Sequence, residues 1–457
     1  MSSSDVAVLA EQARVFAKAG QREQAIVAYQ RLLTTAPTDV VALTYLGTTL
    51  FDLQRYDEGR DYFQRLLACK IERARLLQVV KLLGRVGQMY AMPLRVMRAE
   101  NSLNVLPLES FTKAGKSVHD CAPTVIPGGT TLTVLPGGEH HVTAKFSGIG
   151  AVLLKVDGEA LWPDVLLSGG ALIDINCGYK TLELAGHLDG NFPVKASAAA
   201  GALQFDVQET KAVTIDEPIG VLTAVSNYSS WILGQIPRLH LYKMASPRLK
   251  IALHGDARPF HLQSLASLGI GEDQIIRIDP SSSLRAREMY YATPTFLNQN
   301  IAFACLEPLR DTAEQYAEPG EGRSLYIARS ALGPDHDRLI RNETEIEAIL
   351  QSRGFEIIHP QHLSFAEQAR LFASARRIVA PFGAAWANAV FCKPGVKACM
   401  IRTKQTPEFD RLLQWVRADS YYVTPERTKA REGNIESRAF EFTVNPQHIA
   451  AFVAATE

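Results

Sequence analysis

Arginines, carboxylates and a turn of small residues between positions 254 and 388 are the groups in this 457-residue chain best suited to chemistry. The run IVAPFGAAWANAVFC at 378–392 joins an apolar stretch to Phe382–Gly383 and then to Ala384, Ala385, Trp386, Ala387 and Asn388. It reads as a strand, a tight turn and a helix start. Small residues there let a ligand approach the backbone, and the free N–H groups of a helix start suit a phosphate. Arg329 follows the strand-like SLYIA, and Arg341 stands just ahead of Asn342, Glu343, Thr344 and Glu345. Arg338 lies in the loop between them. Several guanidinium groups at one sheet edge would suit a diphosphate, because each can bind phosphate oxygens bidentately. Asn342 has the side chain of a helix N-cap, and the two glutamates suit the positive end of the helix it opens. His254 and Asp256 close another strand-like run, RLKIALHGD, at the edge where open α/β sheets gather ligands. Lys404, in IRTKQ, would add positive charge.

These residues need a scaffold of alternating strands and helices, and the chain supplies one from about position 220. SNYSSWILGQIPRLHLYKMA reads as a helix, RLKIALHG as a strand and FHLQSLASLGI as a helix. Later SLYIARS, FEIIHP, RRIVAPFG and VKACMIR read as strands, separated by ETEIEAILQSRG, SFAEQARLFASA and AWANAVFCKPG. Short loops between alternating elements argue for parallel sheets covered by helices. Two such halves suggest Rossmann-like lobes with a cleft between them.

The rest of the chain is of two other kinds. Leu9, Ala13, Phe16, Ala25, Tyr29, Leu32 and Pro37 recur about 34 positions later as Leu43, Gly47, Leu50, Gly59, Phe63, Leu66 and Ile71. Small residues fall where paired helices cross and bulky ones between, a pattern that resembles the tetratricopeptide repeat. Residues 72–90 have helical periodicity and would seal its end. Residues 103–225 are punctuated by Gly and Pro around short β-rich runs and read as antiparallel hairpins. His140–His141 fall in one such run. Neighbours on a strand point to opposite faces, so the pair makes a poor chelate and no metal is expected.

Bulk composition excludes several classes. Lys plus Arg number 48 and Asp plus Glu number 48, so no basic excess points to nucleic acid. The N-terminus lacks a signal-peptide core, and no apolar run is long enough to span a bilayer. The six cysteines are scattered without a CxxC pair, which suits free thiols in a reducing compartment. No GxGxxG, Walker loop, HExxH or GxSxG occurs, which weakens dehydrogenase, ATPase, zinc protease and serine hydrolase readings.

One ordered set of motifs resembles glycosyltransferase family 61. It comprises Asn227–Tyr228, Trp231, Pro237–Arg238, Arg329, Arg341–Asn342–Glu343, Gly354–Phe355, Glu367–Gln368, Gly383–Ala384–Ala385, Asn388 and Phe391. The resemblance spans about 220–425. It departs from the family pattern at Ser230 and Phe382, where the family usually has histidine. It implies an α/β protein with two Rossmann-like lobes of the GT-B type, and an inverting, metal-independent transferase using a nucleotide sugar, expected to be UDP-linked, with no other cofactor. It implies Arg329, Arg341, Asn342, Gly383, Ala384 and Asn388 at the donor, and Asn227 and Trp231 at a glycan or protein acceptor. The base is left among His254, Asp256 and Glu343. The rival expectation is an inactive scaffold that binds sugar nucleotide and recruits partners. The expected organisation is a tetratricopeptide-like helical repeat over 1–90, serving a protein partner or self-association, a β-rich segment over 95–220, and the transferase over 221–457. Its lobes fall at about 221–315 and 320–430, with a C-terminal helix returning. Polysaccharide or glycoconjugate synthesis in a bacterial setting is implied, with a cytoplasmic location or a peripheral one at the inner membrane.

Overall fold

Small residues explain the first helices of the computed structural model. These are Ser3–Lys18 (α1), Arg22–Thr35 (α2), Val40–Asp52 (α3) and Tyr56–Leu67 (α4). They form two hairpins, and α2 packs on α3. A Cβ on Gly47 would overlap the ring of Phe63, and one on Gly59 would overlap the ring of Phe51. Ala13 and Ala25, their partners in the repeat, are fully buried. Phe51 and Phe63 meet edge to face at 5.0 Å, a favoured aromatic geometry. The 34-residue period is a packing period: in the second hairpin each small residue admits a ring from the helix it packs on, and in the first the matching alanines are buried.

The structure describes residues 3–53, 55–72, 75–76, 79, 94–98, 101–104, 117–122, 124–126, 131–135, 140–142, 146–161, 166–167, 194–199, 202–207, 212–279, 282–293, 295–297, 300–316, 322–332, 339–402, 407–430 and 440–457. Most of the expected sealing helix over 72–90, together with Arg338 and Lys404, lies outside them.

The chain divides into two units. One holds Met1–Val118, Leu154–Thr223 and Arg277–Tyr291; the other holds His119–Leu153, Ala224–Ile276 and Ala292–Glu457. In the first, beyond the repeat, Val194–Ala199, Ala202–Val207, Leu94–Arg98 and Asn101–Asn104 form a four-stranded sheet in that order. Residues 212–215 and 219–220 pair in parallel with the strand Ser283–Ala292.

The second unit carries a seven-stranded sheet. Its elements, in chain order, are Thr131–Leu135 (β1), His140–Val142 (β2), Lys250–His254 (β3), Pro259–Ser267 (α5), Arg323–Ile327 (β4), Glu343–Ser352 (α6), Glu356–Ile358 (β5), Phe365–Ala373 (α7), Ala375–Pro381 (β6), a 3₁₀ helix Ala384–Phe391, Lys397–Ile401 (β7), Pro407–Trp415 (α8), Asp419–Val423 (β8) and Pro446–Thr456 (α9). The sheet order is β5-β4-β6-β7-β8-β1-β2, and β3 lies outside it. From β5 to β1 every pair is parallel; β2 turns back antiparallel on β1. Residues 131–142 of the β-rich middle thus extend this sheet, and Leu135 joins its core beside Val423.

Alternation along the strands sorts the two faces. Tyr326, Val379, Cys399, Ile401 and Val423 form one core with Ile346 and Leu350 of α6 and Ile449, Phe452 and Val453 of α9. Ile378, Ala380, Met400 and Tyr422 alternate with these and are also buried. The Tyr422 hydroxyl bonds Asp410 of α8, and the Phe382 ring meets Phe409 at 5.7 Å. Counted from β4 in chain order, the parallel strands lie second, first, third, fourth, fifth. The winding therefore reverses between β4 and β6. Such a reversal in a doubly wound sheet opens a crevice at the carboxyl ends of the two strands that flank it.

Candidate active site at the switch of strand order

Two loops meet where the strand order reverses. Arg329 follows β4 and Phe382–Gly383 follows β6. The Arg329 guanidinium donates from Nη1 to the Phe382 carbonyl at 3.3 Å. A Cβ on Gly383 would stand 3.2 Å from that same nitrogen. The backbone of Gly383 is fully extended, so any residue could take its conformation. What glycine supplies here is room for the arginine. The 3₁₀ helix opens at Ala384 immediately afterwards.

Glu343 holds the other side of Arg329. It is the first residue of α6 and is buried. Its Oε1 accepts from the Arg329 backbone N–H at 2.7 Å and from the Tyr326 hydroxyl at 2.9 Å. Burial pushes this carboxyl above the usual carboxylate range, opposed by those two donors. Burial and the same carboxylate push the Tyr326 phenol well up, so it remains a donor. One carboxylate thus fixes the main chain from which the arginine reaches out.

Asn388 sits inside the 3₁₀ helix and is fully buried. Its Oδ1 accepts from the Tyr228 hydroxyl at 2.6 Å, and its Nδ2 donates to Gln368 Oε1 at 2.9 Å. Gln368 Nε2 donates in turn to the carbonyls of Pro360 and Leu363 at 3.2 and 3.3 Å. Both ends of the Asn388 amide are engaged by protein groups, so it positions the helix and the loop after β5.

The helical run at 228–245 has an irregular start whose polar groups other residues satisfy. Asn227 caps it, accepting from Ser230 N–H at 3.1 Å and from the Ser229 hydroxyl at 2.7 Å. Trp231–Gln235 forms a π turn, a local irregularity found often at functional sites. Its altered carbonyls are met by Thr295 Oγ1, on Leu233 and Gly234, and by Arg238 Nε on Gly234. Trp231 is fully buried; its indole donates to Ser264 Oγ at 2.8 Å and its ring meets His261 edge to face. Trp231 therefore holds its segment in place from the core.

His261, a residue that sequence reasoning missed, has a defined tautomer. Nδ1 accepts from Arg258 N–H at 2.8 Å, so the proton is on Nε2, 3.0 Å from the Val225 carbonyl. Burial depresses its pKa to about 4. Both ring nitrogens are committed, which marks it as structural. His254 ends β3 and is buried; its carbonyl accepts from Ala224 N–H at 2.7 Å, and Asp256 two residues on is exposed.

Arg341 and Asn342 face elsewhere. Arg341 is ion-paired with Glu441, and its N–H bonds the Phe442 carbonyl. The Asn342 side chain grips both the N–H and C=O of Val444, at 3.0 and 2.8 Å. Asn342 occupies the N-cap position of α6, yet its side chain makes no cap bond there because Val444 occupies it. A second missed group is Arg402, at the carboxyl end of β7, which pairs with Asp410 and lies over the Tyr422 ring. A strand-ending arginine was its one signal. No group of three or more His, Cys, Asp or Glu side chains able to hold a metal occurs among the described residues.

The fold and site define a doubly wound α/β unit with an arginine and a helix start at its switch point. Residues 228–401, which enclose this site, match the family described as Glycosyltransferase 61. Residues 9–39 match the tetratricopeptide repeat, so the two families named from the motifs occur in that order. No curated protein matches the chain.

Proposed function

We propose that this protein is a glycosyltransferase that moves a sugar from a nucleotide-sugar donor to a hydroxyl of a glycan or protein acceptor. The observation that carries this reading is the coincidence of the Glycosyltransferase 61 match with the Arg329–Gly383 switch point. The diphosphate of the donor would lie against Arg329 and the N–H groups that open the 3₁₀ helix, where a cation and a helix start both favour anions. The acceptor oxygen attacks the anomeric carbon opposite the leaving diphosphate, which inverts that carbon. The proton of the attacking hydroxyl passes to a base, and charge arriving on the diphosphate is neutralised by Arg329. No step requires a metal. Glu343 suits holding the Arg329 main chain, since Oε1 already accepts two hydrogen bonds. We assign the base to the carboxyl end of β3, to Asp256 or His254.

The proposal extends to a two-lobed GT-B-type architecture over 221–457, with UDP as the nucleotide and polysaccharide or glycoconjugate synthesis as the setting. The helical repeat would then bind a protein partner or a second copy. Among the described residues no helix is long and apolar enough to cross a membrane. Four cysteines, Cys69, Cys305, Cys392 and Cys399, are free thiols, which supports a reducing, cytoplasmic compartment.

The test is release of nucleoside diphosphate from a panel of UDP- and GDP-sugars, with glycan and protein acceptors present. One donor should be turned over, and Arg329→Ala should reduce turnover by about tenfold or more, the worth of a charge-assisted hydrogen bond. Nucleotide binding without turnover across the panel would indicate a scaffold instead. Absence of both would end the reading.

A further inference from the structure

We propose that His359 is a further donor-site residue that holds the ribose 2′-hydroxyl of the bound nucleotide. This inference rests on the nucleotide-sugar reading of the switch point. It begins from register. Ile327 of β4 pairs with Ile358 of β5, and the Ala328 N–H donates to the Ile358 carbonyl at 2.8 Å. His359 therefore follows β5 level with Ala328, the residue before Arg329, and both loops leave adjacent parallel strands at the same carboxyl edge. Neighbouring strands lie about 4.8 Å apart, a step of the order of that from a nucleotide's α-phosphate to its ribose. In doubly wound sheets a diphosphate at the turn after the first strand presents its ribose to the residue that ends the second, and a polar side chain there bonds the 2′-hydroxyl. Counted from β4 along the parallel strands, β4 is first, β5 is second, and His359 is the residue that follows it.

The chemistry of the ring fits that place. His359 is half-buried, and its Nδ1 is buried with no hydrogen-bond partner. A proton on that nitrogen would leave a buried donor unsatisfied, which is costly. An unpaired donor is costlier there than an unpaired acceptor, which favours the tautomer with its proton on Nε2, an N–H able to meet an oxygen. In contrast, His261 has both nitrogens committed to backbone groups.

The loop that bears His359 is held in place. The His359 carbonyl accepts from His362 N–H at 3.0 Å, and the Pro360 carbonyl accepts from Leu363 N–H at 3.1 Å. Gln368 grips the Pro360 and Leu363 carbonyls, and Asn388 grips Gln368. The amide chain that positions the 3₁₀ helix after Gly383 thus also positions the loop after β5. The loop after β5 and the 3₁₀ helix after β6 are thus set by one network, and such preorganisation lowers the ordering cost of binding.

Calorimetry on the full chain with UDP, GDP and their 2′-deoxy forms tests this. The wild type should bind one ribonucleotide about tenfold more tightly than its 2′-deoxy form, the fold-change of one good hydrogen bond. His359→Ala should bind the ribonucleotide about as weakly as the wild type binds the 2′-deoxy form, and should no longer discriminate between them. His359→Asn, which keeps a donor, should recover part of the preference and guards against a folding defect in the alanine variant. If the folded alanine variant keeps the full wild-type preference, or the wild type has none, His359 does not read the ribose and the nucleotide reading stands without it. If the wild type binds neither UDP nor GDP, the underlying reading fails and this inference falls with it.

Discussion

The helical repeat and the strand-order switch both depend on small residues, for opposite reasons. In the repeat, Gly47 and Gly59 make room for the apolar rings of Phe63 and Phe51, and the space is filled. At the switch, Gly383 makes room for a guanidinium, which is held at the sheet edge against the Phe382 carbonyl. The repeat pairs residues of adjacent helices. The switch pairs Arg329 with a carbonyl 53 positions away and Tyr228 with an amide 160 positions away. One region uses its small residues to complete a core; the other uses them to keep a polar edge open.

The contrast can be broken most forcefully in the repeat. Gly47→Leu should destabilise the first unit by about 3 kcal/mol, since overpacking a closed core forces side chains and backbone to move. Urea unfolding followed by circular dichroism measures it, and a neutral result would mean that the Gly47–Phe63 contact is slack. Next comes His261, whose folded-state pKa of about 4 lies below the usual 6.5. A depressed pKa contributes stability that is present above about pH 6.5 and is lost as pH falls toward 4. With each pKa unit worth 1.36 kcal/mol, this single group should remove up to about 3 kcal/mol over that window. Its imidazole signals in NMR should stay neutral to about pH 4, and titration near 6.5 would refute the closed hydrogen-bond geometry. Arg329→Ala should weaken nucleoside diphosphate binding by about tenfold or more while leaving the melting of the repeat unchanged. Arg341→Ala should do least. Its ion pair with Glu441 is exposed, and such pairs are worth about 0–1 kcal/mol. Equal losses of affinity in the two arginine variants would place Arg341 at the diphosphate as well.

The repeat was legible because its period is written in neighbouring residues: Ala13 and Gly47, Ala25 and Gly59 mark crossings in helices that touch their chain neighbours. The alternation of strands and helices after 220 was legible for the same reason. The motif order was enough to name a family, and the match over 228–401 agrees with it. The fate of single side chains was harder to read. Asn342 had the residue type of a cap, but Val444, 102 positions on, competes for its amide. Trp231 and Asn388 read as ligand-facing, whereas both are fully buried and bonded to protein groups. His261 carried no signal, because its partners are backbone groups that no residue type reveals.

By itself the sequence determined the helical hairpins, the parallel α/β character of the C-terminal half and the family to which its motifs point. These follow from hydrophobic period, turn residues and local spacing, which act over a few tens of residues. Tertiary structure alone decided the order of the strands, and with it which loops meet. Placing β4 between β5 and β6 brings Arg329 beside Gly383 and brings the loop after β5 to the same sheet edge, while Arg341 pairs with Glu441. The physical reason is that strand pairing is a long-range choice, made by burying both faces of one sheet, with α6 and α9 on one side and α8 against the other.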